Sequence, residues 1–167
     1  MRVFVIADTH FWHKNIIDYC DRPFNSVEEM NSTLIKNWNK TVTNNDIVIH
    51  LGDVGLGPKE KIAPIVQSLK GRKILIMGNH DNLSEQAYRD MGFWTVSRFP
   101  IVYDGFYIMS HAPIQLPNKT CYFNCYGHVH NDPNYVDNSY SKCFSVERIN
   151  YTPIEFEELL NNSDLKK

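Results

Sequence analysis

Three short, almost uninterrupted apolar runs in the first half of the chain restrict its fold more than any other feature. They lie at Arg2–Ala7, Asp46–Leu51 and Arg72–Met77. A strand with one face in water shows an alternating pattern, so continuous runs predict parallel strands covered on both faces. Parallel strands need crossover connections, and the first half is therefore predicted to be a βαβαβ unit.

Helical signals occupy the segments that these connections require. Ser26-Val27-Glu28-Glu29 has the form of a capping box, and apolar residues then recur at helical spacing as far as Trp38. A second helix is predicted to begin near Pro58, a good first-turn residue. A third helix is predicted over Leu83–Met91, with Gly92 placed to end it.

The second half of the chain is richer in β-strand signals. Asp104-Gly105 between two apolar runs predicts a hairpin, and further strands are predicted at Tyr122–Tyr126 and Cys143–Glu147. A short helix is predicted near Ile154–Leu160. The expected fold class is α/β, with two mixed β-sheets sandwiched between helices. No repeat or linker divides the chain, so residues 1–167 are expected to form a single domain.

Composition places the chain among ordinary soluble proteins. Hydrophobic residues make up 43% and charged residues 22%, and the net charge of -2 gives no global attraction to nucleic acid or anionic membranes. There is no signal-peptide core, and no run approaches the ~20 apolar residues of a membrane span. We therefore expect a cytoplasmic protein whose four cysteines are free thiols.

Residue types that bind metals follow five of the predicted strands. They are Asp8 and His10, Asp53, the segment Asn79-His80-Asp81, His111, and His128 with His130. Taken singly, each piece has an ordinary explanation; Gly52-Asp53, for example, could be a simple turn. However, six of the seven histidines fall in or beside these clusters. Loops at the carboxyl ends of strands converge in open α/β sheets, so the set indicates one site.

These motifs resemble the calcineurin-like metallophosphoesterase family, in the form of its small prokaryotic or phage members. The resemblance rests on Asp8-x-His10, Gly52-Asp53, Gly78-Asn79-His80-Asp81, His111 and Gly127-His128-x-His130, in that order through residues 1–130. The segment from Phe144 to Ile154 also resembles the closing strands of such members. Many members carry an acidic residue soon after Gly-Asp, where this chain has Val54-Gly55-Leu56-Gly57. We expect that departure to affect the shape of the loop alone.

The resemblance implies a dinuclear metal site. One ion would be held by Asp8, His10 and His130, the other by Asn79, His111 and His128, and Asp53 would bridge them with one oxygen to each ion. Imidazole and oxygen ligands suit Mn²⁺, the leading candidate, and also Fe, Zn²⁺, Co²⁺ or Ni²⁺. Two ions about 3.5–4 Å apart would clamp the phosphoryl oxygens and generate a bridging hydroxide for in-line attack.

The remaining site residues are expected to act on the proton and the substrate. By the same resemblance, His80 would stabilise the transition state or protonate the leaving oxygen, and Asp81 would orient its ring. Substrate contacts are expected from His13, Arg22 and Asn79. Two of these have plain alternatives, because His13 could lie in a loop that caps a helix and Arg22 could be a solvated or ion-paired arginine.

Two other features have a structural and a functional interpretation. Cys121 and Cys125 precede His128 and His130, which is compatible with a structural zinc site, although buried free thiols are the commoner outcome. His50 lies inside the second predicted strand. We expect it to be a satisfied core or near-site histidine and not a ligand.

The predicted function is hydrolysis of a phosphomonoester or small phosphodiester by a metal-dependent phosphoric ester hydrolase. The alternative within enzymes is a nuclease, which would need a basic track and stacking aromatics beside the metals. The alternative from another class is a non-catalytic protein-binding scaffold, for which an eroded metal site would be diagnostic; here every expected ligand is present. The net charge of -2 favours a small phosphate ester over nucleic acid, and no membrane partner is expected. The sequence carries no indication of oligomeric state.

Overall fold

The computed structural model describes residues 1–157, which form two mixed β-sheets. The strands are β1 (Val3–Ile6), β2 (Ile47–His50), β3 (Arg72–Ile76), β4 (Phe93–Ser97), β5 (Ile101–Tyr103), β6 (Tyr107–Met109), β7 (Phe123–Tyr126), β8 (Ser141–Cys143) and β9 (Ile154–Glu155). One sheet has the order β4-β3-β2-β1-β9 and the other the order β5-β6-β7-β8. The predicted α/β class with two mixed sheets is confirmed.

Along the chain from β1 to β4, four α-helices connect successive parallel strands of the five-stranded sheet. They are α1 (Ile16–Tyr19), α2 (Val27–Thr41), α3 (Lys59–Ser68) and α4 (Glu85–Asp90). The predicted cap of α2 is confirmed, because the Ser26 hydroxyl accepts a hydrogen bond from the Glu29 amide. The Glu29 carboxylate reaches back one residue further than in a capping box, to the amide of Asn25.

Because most strands pair in parallel, most carboxyl ends lie at the same edge of each sheet. Strands β1 to β4 run parallel, and only the short β9 is antiparallel to its neighbour β1. In the other sheet β6, β7 and β8 run parallel, and β5 forms the predicted hairpin with β6. Asp104 and Gly105 turn this hairpin with φ values of 49° and 73°, a conformation that favours these residue types.

A short backbone bridge joins the two sheets directly beyond the end of β1. The Ala7 amide donates to the Phe144 carbonyl at 2.9 Å, and the Val146 amide donates to the Ala7 carbonyl at 3.2 Å. The carboxyl ends of β1 and β8 therefore meet. One cluster of buried apolar residues extends across both sheets, from Phe4 on β1 to Cys125 on β7. No helix among residues 1–157 is both long and apolar enough to cross a membrane.

Two predicted elements differ in the structure, and one strand was not predicted. Pairing of the predicted strand Cys143–Glu147 stops at Cys143, because the chain turns to bridge Ala7 and then forms a 3₁₀ helix over Val146–Arg148. Strand β4 was not predicted. Its buried residues, Phe93 and Val96, are three positions apart, so the sequence shows neither a continuous apolar run nor strict alternation. In the segment predicted as a short helix near Ile154–Leu160, Ile154–Glu155 form β9 and Phe156 and Glu157 are helical. Residues 158–160 of that prediction lie outside the described part of the chain.

Candidate metal centre

Five of the seven predicted metal ligands have left-handed backbone conformations. The φ values are 58° at Asp8, 50° at His10, 57° at Asp53, 72° at His128 and 48° at His130. Such conformations are uncommon for residues other than glycine, and they cluster at functional sites. Here they lie in the loops after β1, β2 and β7, and they turn these side chains toward one shared volume.

Asp8, His10 and His130 form the first cluster, with ligand atoms that all lie within 4.8 Å of one another. Asp8 uses Oδ2 to accept hydrogen bonds from the Ser145 hydroxyl at 2.6 Å and the His128 amide at 2.9 Å. Its Oδ1 and the Nε2 atom of His10 are buried and have no hydrogen-bond partner among residues 1–157. Burial raises the pKa of Asp8 to about 6 and lowers that of His10. A cation would compensate both buried acceptors.

Asp53, His111 and His128 form the second cluster, and Asn79 lies beside it. The Nδ1–H of His111 donates to the Leu51 carbonyl at 2.8 Å, so Nε2 of the neutral ring carries no proton. That bare nitrogen lies 2.9 Å from Asn79 Oδ1 and 3.1 Å from His128 Nδ1. Two acceptors at such a distance repel each other unless a proton or a cation lies between them.

Asp53 belongs to the second cluster and also lies close to the first. Its Oδ2 is 3.5 Å from His10 Nε2 and also 3.5 Å from His111 Nε2. Its Oδ1 accepts a hydrogen bond from the His80 amide at 2.8 Å. The same oxygen therefore faces both clusters. Oδ1 accepts one hydrogen bond and keeps a second lone pair. The expectation that each Asp53 oxygen would serve one ion therefore stays a prediction.

Asp81 does not orient the ring of His80, contrary to our expectation. Its Oδ2 accepts from the amides of Asp53 and Gly78 at 2.7 and 2.8 Å, and its Oδ1 accepts from the amide of Val54 at 3.1 Å. The carboxylate thus ties the loop after β2 to the loop after β3. Asp81 acts on the position of the Asp53 backbone, and burial raises its pKa.

His80 and His13 lie together at the open side of the clusters. The ring of His80 is 5.3 Å from that of His10 and 5.9 Å from that of His13, between centroids. Within residues 1–157 the His80 ring makes no hydrogen bond, and it belongs to neither cluster of ligand atoms. Its position suits a group that exchanges a proton with a bound molecule. His13 is half-buried, and its Nδ1 is 3.1 Å from His10 Nδ1.

Arg22 is not available to a substrate, so its predicted phosphate contact is wrong and the ion-paired alternative is right. The side chain is buried, and Nη2 lies 2.7 Å from an oxygen of Glu147. Nη1 and Nη2 donate to the backbone carbonyls of Thr9 and Asp8 at 3.1 and 2.8 Å. The guanidinium therefore lies behind the first cluster, on the side away from solvent.

Two residues near the first cluster were not predicted. Ser145 donates to Asp8, and Glu147 accepts from both Arg22 and His130. The apolar residues of the run Cys143–Glu147 predict a strand, and a strand assignment gives no role to its polar members Ser145 and Glu147. A charged residue at the end of such a run was the one available signal.

His50 is buried and satisfied, as expected. Its Nδ1 accepts from the Gly52 amide at 3.2 Å, and its Nε2 lies 3.0 Å from the Thr9 hydroxyl, which itself donates to Val54. Burial, with the nearby His111, lowers the pKa of His50 to about 3. The neutral ring thus links the loops after β1 and β2.

The structure gives no support to a zinc site at Cys121 and Cys125. Among residues 1–157 neither thiol belongs to a group of side chains at metal-binding distance. Cys125 is buried and Cys121 is exposed, and both are free thiols together with Cys20 and Cys143.

A cavity of about 350 Å³ opens beside the second cluster. Asn79 and His111 form part of its wall, and Arg98 lies at its side. The rest of the lining is mainly apolar: Ile76, Met77, Gly78, Pro100, Ser110, Ala112, Pro113 and Ile114. A group bound there would adjoin the second cluster directly.

The sequence profile of the calcineurin-like phosphoesterase family matches residues 1–166. The chain belongs to this family. An uncharacterized protein of Methanocaldococcus jannaschii, MJ1445, is 38% identical over 93% of this chain and 88% of its own length. The Gene 66 protein of Mycobacterium phage L5 is 34% identical over 54% of this chain and 46% of its own length.

One solved structure has a similar fold. The crystal structure of a protein of unknown function from Aquifex aeolicus has a TM-score of 0.75 and 26% sequence identity, over 96% of this chain and 98% of that one. Family membership supports a metal-dependent hydrolase of phosphate esters, and the two ligand clusters provide the side chains that such chemistry needs.

Proposed function

We propose that the protein is a dinuclear metal-dependent phosphoesterase. The observation that carries the proposal is that Asp53 Oδ2 lies 3.5 Å from both His10 Nε2 and His111 Nε2. On the first side, Asp8 Oδ1 and His10 Nε2 are also buried without a hydrogen-bond partner among residues 1–157. Asp8, His10 and His130 would hold one ion, Asn79, His111 and His128 the other, and Asp53 would contact both. Because the donors are nitrogen and oxygen atoms, Mn²⁺ is the leading candidate, followed by Fe, Zn²⁺, Co²⁺ and Ni²⁺.

The surrounding side chains suit in-line displacement at phosphorus. When bound, two divalent ions would neutralise charge on the phosphoryl oxygens and lower the pKa of the attacking water. His80, with a ring free of hydrogen bonds to residues 1–157, would hold the proton that the leaving oxygen takes. Asp53 Oδ1 fixes the His80 amide, and Asp81 fixes the Asp53 amide, so the His80 loop keeps its place relative to the ligands.

The cavity beside Asn79 and His111 supports a small substrate. Its volume of about 350 Å³ is near the lower end of the range for small-molecule sites, about 300–1,000 Å³. Asn79 and His13 are the remaining candidates for substrate contact, since Arg22 is buried. We propose a phosphomonoester or small phosphodiester, with one phosphate at the metals and its organic part in this cavity.

The test combines metal removal with a substrate panel. The purified protein is stripped with a chelator, checked for residual metal, and reloaded with each divalent ion in turn. We expect turnover of phosphomonoesters, cyclic nucleotides or dinucleotides to vanish on stripping and to return, highest with Mn²⁺. Full activity at near-zero metal content would contradict the proposal. Failure of every ester in metal-loaded protein would favour a scaffold instead.

A further inference from the structure

A buried ion pair lies directly behind the first cluster. Arg22 Nε and Nη2 lie 2.8 and 2.7 Å from the same oxygen of Glu147, Oε1. The two side chains are 0% and 4% exposed. Removing one partner of a buried pair is strongly destabilising, because it leaves the other charge uncompensated.

One end of the pair touches His130. Glu147 Oε1 lies 3.0 Å from His130 Nδ1. A carboxylate can only accept, so Nδ1 carries the hydrogen and donates it. In the neutral ring this leaves Nε2 without a proton, which is the form that binds a cation. Glu147 therefore selects the ring tautomer and the orientation that His130 needs as a ligand.

The other end of the pair holds the loop that carries Asp8 and His10. Arg22 donates to the carbonyls of Asp8 and Thr9 at 2.8 and 3.1 Å. Asp8 and His10 both have left-handed backbones, with φ values of 58° and 50°. Two charged hydrogen bonds from a buried guanidinium help to offset the strain of that conformation.

The second cluster has a different support. His111 is oriented by the Leu51 carbonyl, and Asp81 ties together the loops of Asp53 and Asn79. Within the described part of the chain, the side chains of Arg22 and Glu147 make no hydrogen bond to any member of that cluster. The direct hydrogen bonds of the pair to ligand residues therefore all lie on one side of the centre, at Asp8 and His130.

We propose that Arg22 and Glu147 are positioning residues for the first metal site alone, an inference that rests on the proposed dinuclear centre. Their removal would make the two sites unequal. Cys20 also lies near His130 and Glu147 at metal-binding distance. A further cation there would face the Arg22 guanidinium, so this group supports the orientation of His130 and is not a third site.

The experiment measures metal binding and not turnover. Glu147→Gln keeps the size of the side chain and removes its charge. Titration with Mn²⁺ by calorimetry should show one of two sites weakened by about 10–100-fold, the usual effect of losing a ligand's outer partner. At one equivalent of Mn²⁺ the variant should fill the stronger site first and show the electron paramagnetic resonance signal of an isolated ion. Spin coupling between two Mn²⁺ ions should appear only with excess metal, when the weakened site also fills.

Two further variants make the outcome decisive. Arg22→Lys keeps the charge but cannot make all the guanidinium hydrogen bonds to Glu147 and to the carbonyls of Asp8 and Thr9. It should weaken the same metal site. Asp46→Asn is the matched control, because it removes a carboxylate from the 2.9 Å Arg2–Asp46 pair at the opposite end of β2. It should leave both sites unchanged.

Equal weakening of both sites in Glu147→Gln, or of neither, would overturn the inference. If that variant does not fold, the same comparison of the two sites is made with Arg22→Lys, and the same results there would overturn it. Wild-type protein that binds two ions but cleaves no ester would contradict the proposed function and leave this inference standing.

Discussion

The left-handed backbone of five proposed ligands is a local conformational strain that lowers the stability of the fold. These residues are Asp8, His10, Asp53, His128 and His130. Each such residue costs of the order of 1–2 kcal/mol relative to the right-handed conformation. The cost is offset by hydrogen bonds from neighbouring loops and, in the proposed holoenzyme, by metal binding. Substitutions here must therefore preserve the backbone as well as change the ligand.

Asp53→Asn satisfies that condition, because asparagine tolerates the left-handed region. The variant loses the charge and one of the two acceptor oxygens. Since Oδ2 faces both clusters, both metal affinities should fall, by more than the 10–100-fold typical of an outer-shell change. Calorimetric titration with Mn²⁺ measures both. Weakening of a single site would show that Asp53 serves one ion only.

His80→Ala should have the opposite profile. The His80 ring is outside both clusters, so metal content should match the wild type. Turnover should fall by about 10²–10⁴-fold, as expected on removal of a general acid or base. The measurement pairs elemental analysis with steady-state kinetics on the same sample. If the metals are lost with the ring, His80 is a ligand and its assigned role is wrong.

At the scale of the elements, strand ends and the loops between them build the centre. β1, β2 and β3 could be predicted because continuous apolar runs signal strands buried on both faces. The segment after Cys143 could not, because a buried 3₁₀ turn and a strand have the same apolar composition. Glu147 and Arg22 are 125 residues apart in the chain, and no periodic pattern reveals such a pair.

The same limit applies to the direction of side chains in turns. His80 and Asp81 lie next to the ligand clusters, but the turn directs the Asp81 carboxylate to the amides of Asp53 and Val54 and not to the His80 ring. Residue types and spacing predict which loops converge. They do not predict which polar atoms in those loops pair with each other.

His50, at the carboxyl end of β2, gives the stability of this region a pH dependence. Its pKa is about 3 in the folded protein, through burial and the nearby His111, against about 6.5 in an unfolded chain. Between these values the unfolded chain binds more protons. The stabilisation is therefore complete above about pH 6.5 and is lost as the pH falls toward 3.

His50→Gln removes this titration. In metal-free protein, we expect the wild type to lose its stability advantage over the variant as the pH falls from 7 to 5, by up to roughly 1.4 kcal/mol per pH unit. Urea denaturation at several pH values gives the free energies of unfolding. The other histidines are common to both proteins and cancel in the difference. Parallel pH profiles would refute a neutral, buried His50.

At the scale of the whole molecule, one cluster of buried residues across both sheets supports our proposal that residues 1–167 form a single domain. Charge is the second whole-molecule property. Five of the six arginines form ion pairs, Arg2 with Asp46, Arg22 with Glu147, Arg89 and Arg98 with Glu85, and Arg148 with Asp137. The sixth, Arg72, lies over Trp94 at the beginning of β3, at the opposite end of that strand from the metal centre.

This charge distribution supports our proposal of a small substrate over a polyanion. With a net charge of -2 and five of its six arginines in ion pairs, the protein has no overall excess of positive charge with which to follow a polyanion. A nuclease would lose log affinity by about 0.9 per phosphate contact for each log unit of salt on B-DNA. A substrate held mainly by two metals should show a much shallower dependence.

We therefore expect the best substrate to be a small ester, and its kcat/KM to change little across a salt series. The comparison uses phosphomonoesters, cyclic nucleotides and dinucleotides against single- and double-stranded oligonucleotides, all with Mn²⁺-loaded protein. Ala112→Trp, which would narrow the cavity beside His111, should raise KM most for esters with a large organic part. Oligonucleotides that exceed every small ester by orders of magnitude at low salt, and lose that advantage as salt rises, would establish the nuclease instead.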